Sequence, residues 1–172
     1  ARARVEEEAK RVMGGEKPDM ETLKNLYYTR QTFNEALRLH PPVWTTSRRA
    51  LADDILPLED GRSLFVPKDA TIMLCTYSVH RRETYWHDPE SFTPERFTPE
   101  ELQKRPKFSW FPFGGGPRLC LGFRFAEVES LVALAMVYQR YNLHLIPGQN
   151  IKPEPIITLR PDRPVLFRVT RK

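Results

Sequence analysis

Residues 113–122 read FGGGPRLCLG and contain four of the eight glycines in the chain. Cys120 follows the glycines at the predicted start of a helix, where unpaired N–H groups and the helix dipole favour a negative charge. Arg118 adds positive charge two residues earlier. Because glycine has no side chain, the backbone here can lie close to a large flat molecule. The stretch therefore predicts a thiolate that faces a glycine-lined shelf as a soft metal ligand, against the common alternative of a buried structural cysteine.

Five residues of this stretch fit the pattern F-x-x-G-x-R-x-C-x-G, namely Phe113, Gly116, Arg118, Cys120 and Gly122. Five fixed residues at fixed spacing arise by chance on the order of once in 10⁵ chains of this length, given usual composition. The chain here resembles the cytochrome P-450 superfamily, whose haem-thiolate loop carries this pattern. The resemblance implies that Cys120 is the proximal ligand of the iron in haem b (iron protoporphyrin IX).

A second motif of the superfamily, Glu-x-x-Arg, is met by Glu35 and Arg38, which lie three residues apart and so share one helix face. A lone match is ordinarily a surface ion pair. It gains weight from its place about 80 residues before the Cys120 loop and from the segment PERF, residues 94–97. The resemblance implies that Arg96 completes a triad in which one carboxylate holds two guanidiniums through bidentate bonds. The implied role is structural, to keep the haem shelf in shape.

The resemblance implies further contacts with the cofactor and with the substrate pocket. Arg118 and Arg48, with Arg49 as the alternative to Arg48, are expected against the haem propionates because arginine binds carboxylates well. The other expected cofactor contacts are Phe113 (which either shields the sulfur or is an ordinary core aromatic), Gly114, Gly122 and Ala126. The residues that match segments lining the substrate pocket are Val43, Trp44, Thr45, Ile156 and Ile157, for which plain core packing is an equal alternative.

The pattern of the whole chain and the resemblance together predict an α+β fold, mainly helical with small antiparallel sheets, as the C-terminal part of a cytochrome P-450 fold. Helices are expected over about residues 1–13, 21–40 and 120–141, with an irregular meander over 79–112 and the Cys loop over 113–122. Residues 71–75 read as a buried strand that includes Cys75, and Asp60-Gly61 predicts a hairpin. Short strands are expected at 142–146, 156–159 and 165–169. The run Glu6 to Glu8 is expected to form a solvated helix face.

The composition excludes several classes of protein. With 40% hydrophobic and 28% charged residues among 172, the chain is neither fibrous nor of a composition typical of disorder. Two cysteines are too few for a disulfide scaffold. The apolar runs are shorter than the roughly 18 residues that a membrane-spanning helix requires. Residues 101–172 carry 12 basic and 5 acidic side chains, which suggests an acidic partner.

The resemblance covers all 172 residues but only the C-terminal two-fifths or so of a full-length member. The long helix over the distal haem face is not matched, and no A-G-x-x-T stretch occurs in the printed sequence. We therefore expect residues 1–172 to be the C-terminal fragment of a single haem-thiolate domain whose N-terminal part is missing. Localisation stays open: cytoplasmic for a bacterial enzyme, or membrane-anchored where the missing part carries an anchor.

The leading functional hypothesis is the haem-thiolate part of a monooxygenase, which hydroxylates a hydrophobic small molecule with dioxygen and two electrons. The electrons are expected from an acidic ferredoxin, flavodoxin or flavoprotein reductase on the Cys120 side. Candidate contacts for that partner are Lys104, Arg105, Lys107 and Arg124. Two alternatives remain: a haem-thiolate isomerase or peroxygenase that needs no reductase, and a haem-free fragment that acts as an interaction module. Nucleic-acid binding rests on the pI near 9.4 alone, and we expect no nucleic-acid partner.

Overall fold

The structure is a computed structural model that describes residues 1–58 and 60–172. The helices of these residues are α1 (Arg2–Met13), α2 (Met20–Lys24), α3 (Tyr27–Leu39), α4 (Thr76–Val79), α5 (Pro99–Lys104) and α6 (Phe123–Arg140). The strands are β1 (Thr46–Arg49), β2 (Asp54–Pro57), β3 (Ser63–Val66), β4 (Thr71–Leu74), β5 (Tyr141–Leu145), β6 (Pro153–Pro155), β7 (Leu159–Pro161) and β8 (Phe167–Arg171). Short 3₁₀ helices cover Pro94–Phe97 and Gly116–Arg118.

The hydrophobic core lies where α1, α2, α3 and α6 meet. Its fully enclosed side chains are small or aliphatic: Ala9, Met13, Leu23, Leu26, Leu131 and Ala135. Burial of aliphatic side chains of this kind stabilises a fold by about 1.5–3 kcal/mol each. Because α6 directly follows the Cys120 loop and α3 carries Glu35 and Arg38, this core fixes both motifs relative to one another.

The helix expected over residues 21–40 is divided into α2 and α3, which corrects the sequence prediction. Asp19 caps α2 by accepting from the Thr22 N–H at 2.7 Å. The chain then leaves helical geometry at Leu26, which is fully buried in the core. The helix ends at Leu39, since Pro41 and Pro42 cannot continue it.

Glu8 provides the N-terminal cap of α3 from another helix. Its carboxylate accepts from the N–H groups of Tyr28 and Thr29 at 2.8 and 2.7 Å and from the Thr29 hydroxyl at 2.7 Å. Leu26, the residue at the cap position of α3, has no side chain that could accept these bonds. Glu8 is therefore buried, and the expectation that Glu6 to Glu8 form one solvated face is wrong at this residue.

The strands form four two-stranded antiparallel sheets, β1–β4, β2–β3, β5–β8 and β6–β7, among the described residues. The prediction of a helical fold with small antiparallel sheets is confirmed. The hairpin predicted at Asp60-Gly61 is also confirmed, since Asp54–Pro57 pairs with Ser63–Val66. Glu59, which belongs to the same predicted hairpin, lies outside the described residues.

Three strand predictions need correction. Strand β4 is mostly exposed rather than buried, because a two-stranded sheet covers neither face by itself. Cys75 lies outside this strand, which ends at Leu74, and is the half-buried cap residue of α4. Residues 156–158 form a bend between β6 and β7, although their β-branched composition favours a strand.

The meander between α4 and the Cys120 loop has its own small aromatic core. Trp86 and Phe97 pack with ring centroids 6.1 Å apart, and Phe97 meets Trp110 edge to face at 5.3 Å. Such pairs add about 0.5–1.5 kcal/mol beyond their burial. This core holds an otherwise irregular segment against α3. No helix among residues 1–58 and 60–172 has the length and apolar character needed to cross a bilayer.

Candidate functional site

The Cys120 loop is a closed turn that presents its cysteine side chain to solvent. The Cys120 N–H donates to the Phe113 carbonyl at 3.0 Å, and the Gly114 N–H donates to the Phe111 carbonyl at 2.9 Å. Gly114 and Gly116 have φ values of 76° and 66°, a left-handed conformation that other residues adopt only with strain. The glycines at these two positions therefore allow the loop to close, and Cys120 remains exposed at its end.

The sequence predicts that Cys120 lies at the start of a helix, but in the structure Cys120 precedes the helix. Helix α6 begins at Phe123, with Gly122 at its cap position. The Phe123 N–H bonds back to the Cys120 carbonyl at 3.5 Å, so a turn separates the sulfur from the helix. A β-carbon at Gly122 would lie 3.8 Å from the Cys120 sulfur, which places this glycine directly beside the thiol.

Cys120 lines a groove that gathers several of the predicted cofactor residues. A cavity of about 190 Å³ is lined by Val43, Thr46, Arg48, Thr76, Phe111, Pro112, Phe113, Gly114, Arg118 and Cys120. A neighbouring cavity of about 510 Å³ shares Thr46, Arg48, Phe111 and Gly114 with it. Strand β1 and the Cys120 loop thus form two sides of one groove, which brings Arg48, Arg118 and Cys120 together.

The two arginines expected near the propionates are exposed at this groove. Arg48 lies along its own strand and donates to the Ser47 carbonyl at 2.8 Å. Its neighbour Arg49 instead pairs with Asp69 at 2.8 Å. Of the two candidates, Arg48 is therefore the one that lines the groove.

Glu35 and Arg38 form a fully enclosed ion pair. Arg38 donates from Nε and Nη2 to the two carboxylate oxygens at 2.7 and 2.8 Å, and both side chains are 0% exposed. Arg38 also donates to the backbone carbonyls of His80, Pro89 and Ser91 at 2.9, 2.7 and 3.1 Å. One guanidinium thus joins α3 to three points of the meander.

Arg96 approaches the same carboxylate, but not through bidentate bonds. Its Nε lies 3.5 Å from Glu35 Oε1, while its Nη2 donates to the Asp88 carbonyl at 2.8 Å. The geometry expected for the third member of the triad therefore needs correction, because Arg96 divides its donors between Glu35 and the backbone. The remaining bond to Glu35 Oε1 comes from the Thr93 N–H at 2.8 Å.

Arg105 is a member of this cluster that sequence reasoning missed. Its guanidinium lies 4.3 Å from the centre of the Trp86 ring and 4.6 Å from that of Phe97, and it donates to the Arg96 carbonyl. Burial lowers the pKa of Arg105 to about 10, an effect that the charge of Glu35 partly opposes. The residue was expected to contact a redox partner, but its charge is covered by the meander core.

His80 is a second residue whose surroundings the sequence did not predict. The ring is 0% exposed, stacks on Trp110 and meets Phe111 edge to face. Its Nε2 accepts from the Phe111 N–H at 2.9 Å. Burial, aided by the positive charges of Arg38 and Arg81, lowers the pKa of His80 to about 4. In the sequence, His80 is one of four scattered histidines and stands at the start of a proline-rich segment, which by itself indicates little.

The predicted pocket residues come from two segments that contact one another. The Trp44 indole donates to the Ile156 carbonyl at 2.9 Å, and the Leu159 N–H donates to the Pro42 carbonyl at 2.8 Å. Val43, Ile156 and Ile157 are exposed, whereas Trp44 and Thr45 are half-buried. Only Val43 of this group lines the groove at Cys120.

The remaining cofactor candidates lie on or beside α6. Phe113 packs against Phe123 with ring centroids 6.3 Å apart, and its carbonyl accepts from the Cys120 N–H. Ala126 is half-buried, and its N–H donates to the Gly122 carbonyl at 2.9 Å in the first turn of α6. Leu121 and Phe125 beside them are exposed apolar side chains, and Arg124 between them is an exposed base, so this end of α6 presents both apolar and basic groups.

Comparisons with a family model and with individual known proteins point to the same family. A family model described as Cytochrome P-450 matches residues 1–168. Carotene epsilon-monooxygenase of Arabidopsis thaliana is 35% identical over 98% of this chain, and Protein LUTEIN DEFICIENT 5 of the same plant is 37% identical over 85%. Cyclooctatin synthase of Streptomyces melanosporofaciens is 36% identical over 92%. The matched part covers 31%, 24% and 34% of these relatives, so the chain spans about a third of their length or less.

Proposed function

The chain belongs to the cytochrome P-450 family, and from that premise we propose that residues 1–172 supply the thiolate side of a haem monooxygenase site, with Cys120 as the iron ligand. The observation that carries the proposal is the exposed Cys120 at the end of a glycine loop that lines a groove. A cysteine kept only for packing is ordinarily buried. The share of the relatives' length that is matched supports a further proposal, that these residues form the C-terminal part of one haem-thiolate domain.

The residues at the groove fit a haem group in their chemistry. The thiolate is a soft ligand suited to iron, and Gly114 and Gly116 keep side chains away from the loop surface. Arg48 and Arg118 are exposed donors at the same groove and suit two carboxylates. Phe113 and Phe111 give the groove apolar walls. A large, flat, mainly apolar molecule with two carboxylates matches this set of side chains.

When bound, a haem with a cysteine thiolate ligand supplies the activation of dioxygen for hydroxylation, because the thiolate pushes electron density toward the iron. In this proposal Cys120 holds the iron, and Arg48 and Arg118 bind the propionates. Glu35, Arg38 and Arg96 touch no reacting atom. They hold the meander against α3 and so keep the loop in place.

The proposed substrate is a hydrophobic small molecule. The segments at residues 42–45 and 156–159 contribute mostly apolar side chains, of which Ile157 is 94% exposed. One relative carries the printed name Carotene epsilon-monooxygenase, and carotene is a hydrocarbon, which agrees with a hydrophobic substrate.

The proposed electron donor is an acidic protein that binds on the Cys120 side. Residues 101–172 carry a net charge of +7, from 12 basic and 5 acidic side chains. Lys107 and Arg124 are exposed near the Cys120 loop in sequence, and Lys104 is exposed although it pairs with Glu101 at 2.8 Å. Arg105 is left out of the proposed contact surface because Trp86 and Phe97 cover it. Raising the salt concentration should slow electron delivery, since exposed charges are screened.

The ligand assignment is tested by replacing each cysteine in the holoenzyme. Cys120→Ser should abolish the red-shifted Soret band of the reduced carbon monoxide complex, whereas Cys75→Ser should retain it. Cys75 is a matched control, because it is the other cysteine of the chain and lies 3.1 Å from the Ser78 hydroxyl in a half-buried turn. A Cys120→Ser protein that keeps the band would refute the ligand assignment.

Two further measurements separate the monooxygenase from its alternatives. Turnover that requires NAD(P)H and a reductase supports the monooxygenase, and turnover with peroxide or with no reductant indicates a peroxygenase or isomerase. Pyridine haemochrome analysis of the purified protein decides whether haem is present at all. A protein that folds but holds no haem would favour the interaction module.

A further inference from the structure

We infer that His80 is a positioning residue for the Cys120 loop: its backbone carbonyl is held by the Glu35–Arg38 pair, and its ring nitrogen Nε2 holds the start of the loop. The part of this inference that concerns the iron rests on the proposed function. The part that concerns the loop rests on the hydrogen bonds alone.

His80 is enclosed on every side. It follows the last turn of α4, where its N–H donates to the Thr76 carbonyl at 2.9 Å. Its ring stacks on Trp110 at an interplanar angle of 17° and meets Phe111 at 78°. A ring held by a helix end and two aromatic side chains has little freedom to turn, so its two nitrogens point in fixed directions.

His80 accepts one hydrogen bond from each of two separate parts of the chain. Arg38 Nη1 donates to the His80 carbonyl at 2.9 Å, and Phe111 N–H donates to His80 Nε2 at 2.9 Å. His80 thus accepts at both its backbone and its ring. It connects the ion pair on α3 to the first residue of the segment that leads into the Cys120 loop.

The same line of bonds continues to the cysteine. The Phe111 carbonyl accepts from the Gly114 N–H at 2.9 Å, and the Phe113 carbonyl accepts from the Cys120 N–H at 3.0 Å. The first of these bonds closes a turn and the second closes the loop that ends at Cys120. In this inference the position of Phe111 therefore influences where Phe113 and then Cys120 lie. A loss of the His80 bond frees the turn and, through it, the loop.

The ring must be neutral to perform this role. Because Nε2 accepts a hydrogen bond, the neutral ring carries its proton on Nδ1. Among residues 1–58 and 60–172, no acceptor lies in hydrogen-bond contact with that buried nitrogen. Burial and the guanidiniums of Arg38 and Arg81 oppose protonation of the ring, and together they outweigh the backbone of Arg38 and Leu37, which favours it. The surroundings therefore favour the one charge state in which Nε2 remains an acceptor.

A packing role predicts a different outcome from a hydrogen-bonding role. His80→Phe keeps a flat aromatic ring between Trp110 and Phe111 but removes the acceptor. His80→Gln loses the ring but restores an acceptor oxygen near the position of Nε2. His87→Phe is the matched control, because His87 is an exposed histidine in the same meander.

Residue-resolved amide hydrogen exchange and the carbon monoxide difference spectrum of the holoenzyme test the inference. His80→Phe should speed exchange at the amides of Phe111 and Cys120 by roughly tenfold, as expected for the loss of one buried hydrogen bond. It should also lower the fraction of the reduced carbon monoxide complex with the red-shifted band. His80→Gln should restore both, and His87→Phe should leave both unchanged.

Two results overturn the inference: wild-type exchange and spectrum in His80→Phe, or a His80→Gln protein as impaired as His80→Phe. If His80→Phe does not fold, His80→Gln tests the inference by itself. Slow exchange at the Phe111 amide in His80→Gln supports the inference, and fast exchange overturns it. Failure of the proposed function looks different. In that case Cys120→Ser keeps the red-shifted band, while the exchange at Phe111 still depends on His80.

Discussion

The Glu35–Arg38 pair and the Cys120 groove are linked by hydrogen bonds, yet their surroundings are opposite. The pair is fully enclosed, and its carboxylate accepts from Arg38 and from the Thr93 N–H. Cys120 and Arg118 are exposed, and Arg48 donates along its own strand, to Thr46 and to the Ser47 carbonyl. The chain alone therefore completes its structural centre, whereas the groove presents donors and a thiol that suit a bound group. Substitutions in the Glu35–Arg38 pair should lower the free energy of unfolding. Substitutions in the Cys120 groove should weaken binding of the group that occupies it.

The largest effect is expected from breaking the enclosed pair. Glu35→Ala leaves the Arg38 guanidinium buried without its carboxylate, which should lower the free energy of unfolding by about 3–5 kcal/mol. Glu21→Ala is the matched control, because Glu21 and Lys24 have the same three-residue spacing and a 2.7 Å contact but are exposed. It should cost less than about 1 kcal/mol. Equal losses in chemical denaturation would show that burial does not distinguish the two pairs.

The next effect is a pH dependence that originates at His80. Its pKa is about 4 in the folded protein against an ordinary value of 6.5, so the unfolded chain binds more protons between these values. The stability that comes from the neutral ring is therefore complete above pH 6.5 and is lost as the pH falls toward 4. The shift corresponds to about 3 kcal/mol.

This pH dependence is measured as a difference between variants. Between pH 6.5 and 4 the free energy of unfolding of the wild type should fall by about 3 kcal/mol more than that of His80→Gln, which has no group that titrates there. His87→Gln should follow the wild type, since that ring is exposed. Parallel curves for wild type and His80→Gln would contradict an origin at His80.

The cap that α1 provides for α3 should have a smaller effect. Glu8→Ala removes the acceptor for the Tyr28 and Thr29 N–H groups, and capping residues contribute about 0.5–2 kcal/mol. Glu7→Ala, on the exposed side of the same helix, should change stability by less than about 0.5 kcal/mol. Thermal or chemical unfolding measures both. If Glu7→Ala lowered the stability as much as Glu8→Ala, the loss of a negative charge on α1, rather than the loss of the cap, would be responsible.

These sites differ in how much of them the sequence could predict. The pairing of Glu35 with Arg38 follows from a three-residue spacing on one helix, and the exposed loop follows from glycines beside Cys120. Both depend on neighbours within about ten residues. By contrast, Glu8 caps a helix that begins 19 residues later, and His80 meets Phe111 31 residues later. Such contacts depend on how whole elements pack, which periodicity does not report.

Helix boundaries also depend on packing that the sequence pattern does not report. The apolar spacing over residues 21–40 continues through Leu26, so the pattern gives no sign of the break there. The break exists because Leu26 enters the core at the meeting of α2 and α6, and Glu8 supplies the cap that a new helix needs. Similarly, Arg105 resembles any exposed basic residue until the rings of Trp86 and Phe97 are placed around it.

The smallest effect on protein stability is expected in the groove, where Arg48 and Arg49 provide a side-by-side comparison. Arg48→Gln should speed haem dissociation roughly tenfold, equivalent to about 1.4 kcal/mol, because a charge-assisted bond to a propionate is lost. Arg49→Gln should leave the dissociation rate unchanged, since Arg49 pairs with Asp69 instead. Both variants should unfold like wild type within about 1 kcal/mol, because both side chains are exposed. Haem transfer to an acceptor protein measures the rate. A faster loss from Arg49→Gln than from Arg48→Gln would reassign the propionate contact to Arg49 and leave the contrast between the enclosed pair and the open groove intact.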